Sequence, residues 1–288
     1  MLLFLFIMTI HAIIIGDEIL SGRRQDKHMS KLISVLQKRG LVLNSAEYVG
    51  DDLLSIKNVI SRTFATFNNE DDVVICFGGI GATPDDRTRQ AVALATSKDL
   101  ILFEEAKFLI QKRIAEMHLE GKAPADFNHP ENLQRLKMGE FPQGSELVPN
   151  SYNHIPAFSL GNHYFLPGFP IMAWQMLEWI FDNNYKHLHN SHEEKTLSCY
   201  IPLITESKLA PILFEVESIF DGIKTYSLPS FGIDNKIGDN EKNDWRMQAH
   251  IEAGVKGKSI TANNLNLAFY HIIKKVEELN YNVFIINN

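Results

Sequence analysis

Apolar residues run unbroken from Val73 to Phe77. That is the pattern of a strand buried on both faces, as in a parallel sheet. Ala12 to Ile15 has the same character, and Leu41 to Val49 reads as a further strand. Between these runs the spacing becomes helical. Met29, Leu32, Ile33 and Leu36 recur at i, i+3, i+4 and i+7, with Asp26 placed to cap the segment and Gly40 to close it. Ile56, Val59, Ile60 and Phe64 form a second apolar face, and Thr88 through Ala91, Val92 and Ala95 a third. Phe103 to Leu119 reads as a longer helix. Strands alternating with helices imply parallel pairing through right-handed crossovers.

Residues 121–145 are polar and broken by Gly121, Pro124, Pro130, Pro142 and Gly144. They read as an irregular connection that would serve as a lid. Phe158 to Phe165 reads as two short strands around a Gly161-Asn162 hairpin turn. Met172 to Phe181 is an apolar helix whose Trp174 and Trp179 suit core or subunit contacts. A polar break follows from Tyr185 to Glu194, where His187, His189 and His192 read as solvent-exposed rather than as metal ligands. Beyond it the order is strand (Leu197 to Ile204), helix (Ser207 to Phe220), strand (Lys224 to Leu228), an alternating strand through Met247, Ala249, Ile251, Ala253 and Val255, helix (Asn264 to Leu279) and strand (Tyr281 to Ile286). Residues 234–244 are a polar loop inside that order. β-α-β-β-α-β is the ferredoxin-like arrangement. The expected domains are 8–185 and a small α+β domain at 195–288, with no catalytic constellation in the second.

Composition narrows the function. The chain has 288 residues, 45% hydrophobic and 22% charged, with a net charge of −7. It is an ordinary globular composition. No basic stretch interleaves with aromatics, so nucleic acid is not an expected partner. Anionic ligands would be met by local amides and metal, not by the overall field. Two cysteines without metal or CxxC spacing argue against zinc and for a reducing cytoplasm. The apolar start, Met1 to Ile7, lacks the basic flank and cleavage site of a signal peptide and is too short to span a membrane. Met8 would make a natural start.

The candidate chemistry follows the buried strands. Val73–Phe77 is followed by Gly78, Gly79 and Gly81, then Pro84, Asp85, Asp86 and Thr88. Glycines let backbone amides approach a ligand, and carboxylates suit a helix start. Gly16-Asp17 and Gly50-Asp51 repeat the theme after the other two strands. In a parallel sheet these ends share one edge, where such sheets bind ligands.

At Gly16-Asp-Glu-Ile-Leu-Ser-Gly22 and Gly78-Gly-Ile-Gly-Ala-Thr-Pro-Asp-Asp-Arg-Thr88 the chain resembles the molybdopterin-binding (MoaB/Mog) superfamily, in its CinA-like branch. Gln25-Asp26-Lys27-His28, Val49-Gly-Asp-Asp52 and Leu166-Pro-Gly-Phe-Pro170 are similar to further motifs of that branch. The match covers residues 10–182 and extends to the corresponding domain of eukaryotic FAD synthases. The resemblance implies a three-layer α/β sandwich with a mainly parallel sheet, binding a pterin phosphate or a nucleotide. CinA-type domains are associated with metal-dependent hydrolysis of ADP-ribose-like pyrophosphates, the FAD synthase domain with hydrolysis of FAD, and Mog-type members with molybdopterin, some by adenylylating it. Where CinA proteins often read Gly-Pro-Pro-x-Glu, this chain has Gly168-Phe-Pro-Ile-Met172. The CinA C-terminal amidohydrolase domain has no room, so nicotinamide mononucleotide deamidation is not expected.

The expected activity is therefore a divalent-metal-dependent pyrophosphatase, with Mg, Mn, Co or Ni as the ion. Molybdopterin binding or adenylyl transfer and a non-catalytic nucleotide-binding module are the alternatives. Gly78, Gly79, Gly81 and Ala82 would cradle phosphate, helped by hydroxyls of Thr83 and Thr88 and by Gly168. Asp86 and Asp51 would hold the ion, with Asp17 or Asp85 nearby. Asp26 and His28 would contact a second phosphate, a ribose or the attacking water. A homo-oligomer is expected.

Overall fold

The computed structural model describes residues 9–190, 194–231, 248–258 and 262–286. The apolar start with Met8, His192 and the expected loop at 234–244 lie outside these residues. The chain divides into two compact units between Asn190 and Ser191.

In the first unit β1 (Ile10–Ile15) leads through a short helix, α1 (Asp17–Leu20), to α2 (His28–Gln37). Then come β2 (Ser45–Val49), α3 (Leu53–Thr66), β3 (Val73–Phe77) and α4 (Thr88–Thr96). β4 (Leu100–Leu102) and α5 (Glu104–Leu119) precede α6 (Pro130–Leu136), a 3-10 turn at Lys137–Gly139 and β5 (Glu140–Pro142). β6 (Glu146–Val148), β7 (Ala157–Leu160), β8 (His163–Leu166) and α7 (Pro170–Asn183) complete it. The main sheet has the order β2-β1-β3-β8-β7-β6. Its first four strands are parallel, β7 pairs antiparallel with β8, and β6 pairs antiparallel with β7.

Strand alternation decides which face each helix covers. Phe77 of β3 stacks on His28 of α2, 4.5 Å between ring centroids. His163 of β8 pairs with Val74, three residues back from Phe77, so it points to the other face, where it stacks on Phe64 of α3 at 3.8 Å. α7 packs beside α2, held by Lys31–Glu178 and by the two-pronged Arg39–Asp182 pair, and α4 packs beside α3. Helix, sheet, helix are the three layers. Asp52 caps α3 by accepting from the Ser55 amide, and Ile56 and Ile60 of that helix are fully buried.

Residues 121–145 differ from the expected irregular lid. They hold α6, the 3-10 turn and β5, which pairs with β4 in a sheet of its own. Asn132, wholly buried, donates to the carbonyls of Pro124 and Asp126 and so folds the segment on itself. β2 starts at Ser45, later than the apolar run at Leu41 suggested.

The second unit contains β9 (Glu194–Pro202), α8 (Glu206–Ile219), β10 (Ile223–Ser230), β11 (His250–Lys258), α9 (Ala262–Glu278) and β12 (Phe284–Ile285). The strand order β10-β11-β9-β12, antiparallel throughout, is the ferredoxin-like sheet. Leu209, Val216, Ala268, Ile272 and Val276 from its helices close one core with Cys199, Ile201, Ala253 and Val255.

Candidate functional site: a cleft at the sheet's switch point

β1 lies between β2 and β3, so successive crossovers leave it in opposite directions. The ends of β1 and β3 open into a crevice there, the position where open α/β sheets take ligands. Gly16 and Glu18 after β1, Asp51 after β2, Gly78 to Thr83 with Asp85 and Asp86 after β3, and Pro167 to Phe169 after β8 line a cleft of about 440 Å³. Met138, Ile155, Pro156, Met172 and Met176 give it an apolar wall.

The glycine turn is shaped by contacts that exclude side chains. Gly78 has φ 107° and Gly79 φ 69°, conformations that L-residues rarely adopt. A Cβ on Gly78 would overlap the Ile15 carbonyl oxygen, and one on Gly81 the Asp86 carboxylate. Asp86 Oδ2 accepts from the Thr83 amide at 2.8 Å and the Thr83 hydroxyl at 2.6 Å. Its Oδ1 is left for other partners. Among the described residues, the amides of Gly79, Ile80, Gly81 and Ala82 have no hydrogen-bond partner within the chain.

Across the cleft, the turns after β1 and β2 clasp each other. Asp51 Oδ2 accepts from the Asp17 amide at 2.8 Å, and Asp17 Oδ1 from the Asp51 amide at 3.3 Å. Gly50 has no room for a Cβ because the Asp17 carboxylate occupies that space. Burial pushes the Asp51 carboxyl above its ordinary value. The Asp17 amide opposes this, and the charges of Asp17, Glu18 and Asp85 add to it. Arg24 is the only lysine or arginine lining the cleft among the described residues.

These donors are hard carboxylate oxygens, the chemistry of Mg or Mn rather than zinc. Among the described residues, no three His, Cys, Asp or Glu side chains converge as a ready-made cage. The set fits an ion of the kind held by one or two carboxylates, retained waters and substrate phosphate oxygens. Asp51 and Asp86 each offer an unused oxygen. Asp17 sits at the rim and does not line the cleft.

Four residues expected at the ligand make hydrogen bonds within the fold. Asp26 caps α2, accepting from the His28 and Met29 amides and from the Tyr48 hydroxyl. Burial, then that carboxylate, pushes the Tyr48 phenol up to about 12. His28 is buried behind the cleft wall, with Nε2 at 3.2 Å from the Gly168 carbonyl, and burial lowers its pKa. It supports the Gly168 strip from behind. Thr88 is fully buried and donates its hydroxyl to Gly78 O. The Thr83 hydroxyl is already committed to Asp86. His187 and His189 bond to Asp71 and to the Phe181 carbonyl and do not meet in the cleft.

Sequence reasoning missed Arg24, Asn150, Asn153 and Met172 as lining residues. Asn150 and Asn153 bond to each other at 2.6 Å, and Asn153 Nδ2 lies 3.2 Å from Met172 Sδ. Met172 stands where the resemblance led one to look for a glutamate, which leaves that wall apolar.

A glycine turn and carboxylates at the switch point of a parallel sheet define an α/β ligand-binding domain. Residues 11–187 match a family described as probable molybdopterin-binding domain, and the chain belongs to that family. A Pyrococcus furiosus protein is 34% identical over 229 residues, 77% of this chain and 85% of that one. A CinA-like protein of Syntrophotalea carbinolica is 29% identical over 167 residues, 57% of this chain but 37% of that protein. The solved structure of CinA from Thermoplasma acidophilum, 27% identical, superposes with a TM-score of 0.50 over 61% of this chain and 97% of that one. Among the described residues no helix is long and apolar enough to cross a membrane.

Proposed function

We propose that this chain is a divalent-metal-dependent pyrophosphohydrolase of a nucleoside-diphosphate-linked small molecule, of the ADP-ribose or FAD type. The observation that carries the reading is the partnerless amide run Gly79–Ala82 facing Asp51, Asp85 and Asp86 in a cleft with an apolar wall. The amides take the phosphate oxygens, the wall takes a planar heterocycle, and Arg24 meets the more exposed phosphate. Asp51 and Asp86 would hold the ion, which when bound would supply charge neutralisation and an activated water. Water oxygen bonds to one phosphorus, the bridging P–O bond breaks with its electrons on the departing phosphate, and the two phosphomonoesters formed release two protons at neutral pH. ADP-ribose yields AMP and ribose 5-phosphate, and FAD yields AMP and FMN.

The family's description favours a second reading, in which the same cleft binds molybdopterin, with adenylyl transfer to it as the catalytic form of that reading. A screen of ADP-ribose, FAD and NAD with Mg, Mn, Co and Ni separates them. Cleavage of any of the three to a monophosphate supports the hydrolase. No cleavage with any ion moves molybdopterin handling, or non-catalytic binding, ahead.

A further inference from the structure

Where an amide points is fixed by where the preceding carbonyl goes. A trans peptide holds the C=O of one residue and the N–H of the next on opposite sides of one plane. Three carbonyls of the glycine turn are held from α4. The Thr88 hydroxyl donates to Gly78 O at 3.0 Å, the Thr88 amide to Gly79 O at 3.0 Å, and Arg89 Nη2 to Gly81 O at 2.6 Å. The N–H groups of Gly79, Ile80 and Ala82 are therefore turned away from Thr88 and Arg89. Neither of those residues lines the cleft, whereas Gly79, Ile80 and Ala82 do.

Arg89 does a second thing. Its Nη1 donates to the Lys137 carbonyl at 2.7 Å, in the 3-10 turn after α6. One guanidinium thus ties the glycine turn to the α6 segment, and Gln134 of α6 donates to the Ala82 carbonyl beside it. Arg89 is 4% exposed, and among the described residues no carboxylate forms an ion pair with it, the charges of Asp86 and Glu140 acting on it only through space. A buried cation whose direct hydrogen-bond partners are carbonyls is costly to keep for stability's sake. A lysine could not replace its fork, because one ammonium does not span both carbonyls in a fixed plane.

We infer that Arg89 is a positioning residue: it aims the Ala82 amide at an anionic ligand by holding the Gly81 carbonyl, and it makes that aim depend on the α6 segment. The inference rests on the reading of the cleft as a phosphate site. It is tested on the full chain with inorganic pyrophosphate and Mg, by calorimetry and by amide ¹H–¹⁵N mapping, with thermal melts alongside. Wild type should show its largest shifts at Gly79, Ile80 and Ala82. In folded Arg89→Lys the pyrophosphate Kd should rise about tenfold or more, the scale of one lost charge-assisted hydrogen bond, and the Ala82 shift should vanish. A merely structural role would lower the melting temperature and leave the Kd of the folded protein alone. That result, or a wild-type Ala82 amide that does not respond to pyrophosphate, overturns the inference even if Arg89→Lys fails to fold. Wild type that binds pyrophosphate but cleaves neither ADP-ribose nor FAD overturns the hydrolase reading only.

Discussion

At the N-terminal ends of the strands, Asp72 is 1% exposed and its carboxylate accepts from the amides of Thr9 and Asn69 and from the Asn69 side chain. His163 places one ring nitrogen on Asn162 and the other on the Thr63 hydroxyl, under the Phe64 ring. His11 does the same with Ser45 and Glu47, stacked on Phe67. At the C-terminal ends the residue types are similar and the outcome is opposite. Asp51 and Asp86 each spend one carboxylate oxygen on the backbone and keep the other, and four successive amides stay free. A polar group with all its bonds closed inside the fold holds the fold together. A polar group kept half-open at a switch point is where binding energy is available.

The contrast breaks most sharply at Asp51. Asp51→Asn should lower turnover of ADP-ribose about 100- to 1,000-fold, the usual cost of losing one electrostatic contributor. Its melting temperature should stay level or rise, because the change removes a charge crowded by Asp17, Glu18 and Asp85. Steady-state assays with melts in parallel decide this, and wild-type turnover would remove Asp51 from the site. His163→Ala should do the reverse. It opens a cavity under α3 and strips two hydrogen bonds, a loss of about 2–5 kcal/mol in denaturant titrations, while ligand Kd stays as in wild type.

Acid sharpens the same comparison. Burial, followed by the charge of His11, pushes the His163 pKa down to about 3, and burial lowers that of His11 as well. The unfolded chain, with histidines near their ordinary value, binds these protons first as pH falls. The stability these neutral rings provide is complete above about pH 6.5 and is lost progressively below it. His163 alone contributes a slope of up to about 1.4 kcal/mol per pH unit. Urea midpoints measured across that range should fall with pH, and His163→Phe should flatten the fall. Flat midpoints in wild type would mean that His163 is not neutral and buried. The smallest effect belongs to Asp26→Ala, which should cost about 1 kcal/mol as a lost cap and leave KM and kcat unchanged. A loss of turnover there would place Asp26 in the catalytic set.

Buried runs and helical spacing made the main sheet, its helices and the ferredoxin-like order readable from the residues. The convergence of Asp51, Asp85, Asp86 and the glycines was readable for the same reason, since parallel strands end together. α6, β4–β5 and β6 were not readable. β4 is only three residues long, and the others are short pieces in or beside a Pro- and Gly-broken stretch, held by contacts such as the Asn132 bonds and the close fit of Gly139 against Ala106 and Ile110. The Asp26 cap of α2 was readable from the helical spacing, and its second assignment, to a ligand, like that of Thr88, rests on residue types that caps and sites share. Arg89 carries no sequence signal. A cation in the first turn of a helix looks like solvated surface until its buried carbonyl partners are seen.

The most direct test of the two-ended sheet is an amide-resolved titration of the full chain with ADP-ribose and Mg. Shifts should concentrate at Gly79, Ile80, Ala82, Asp51 and Gly168, with Asp72, Asn162 and His163 unmoved. Shifts centred on Asn162 and His163, or none at the glycine turn under saturating ligand, would contradict the account.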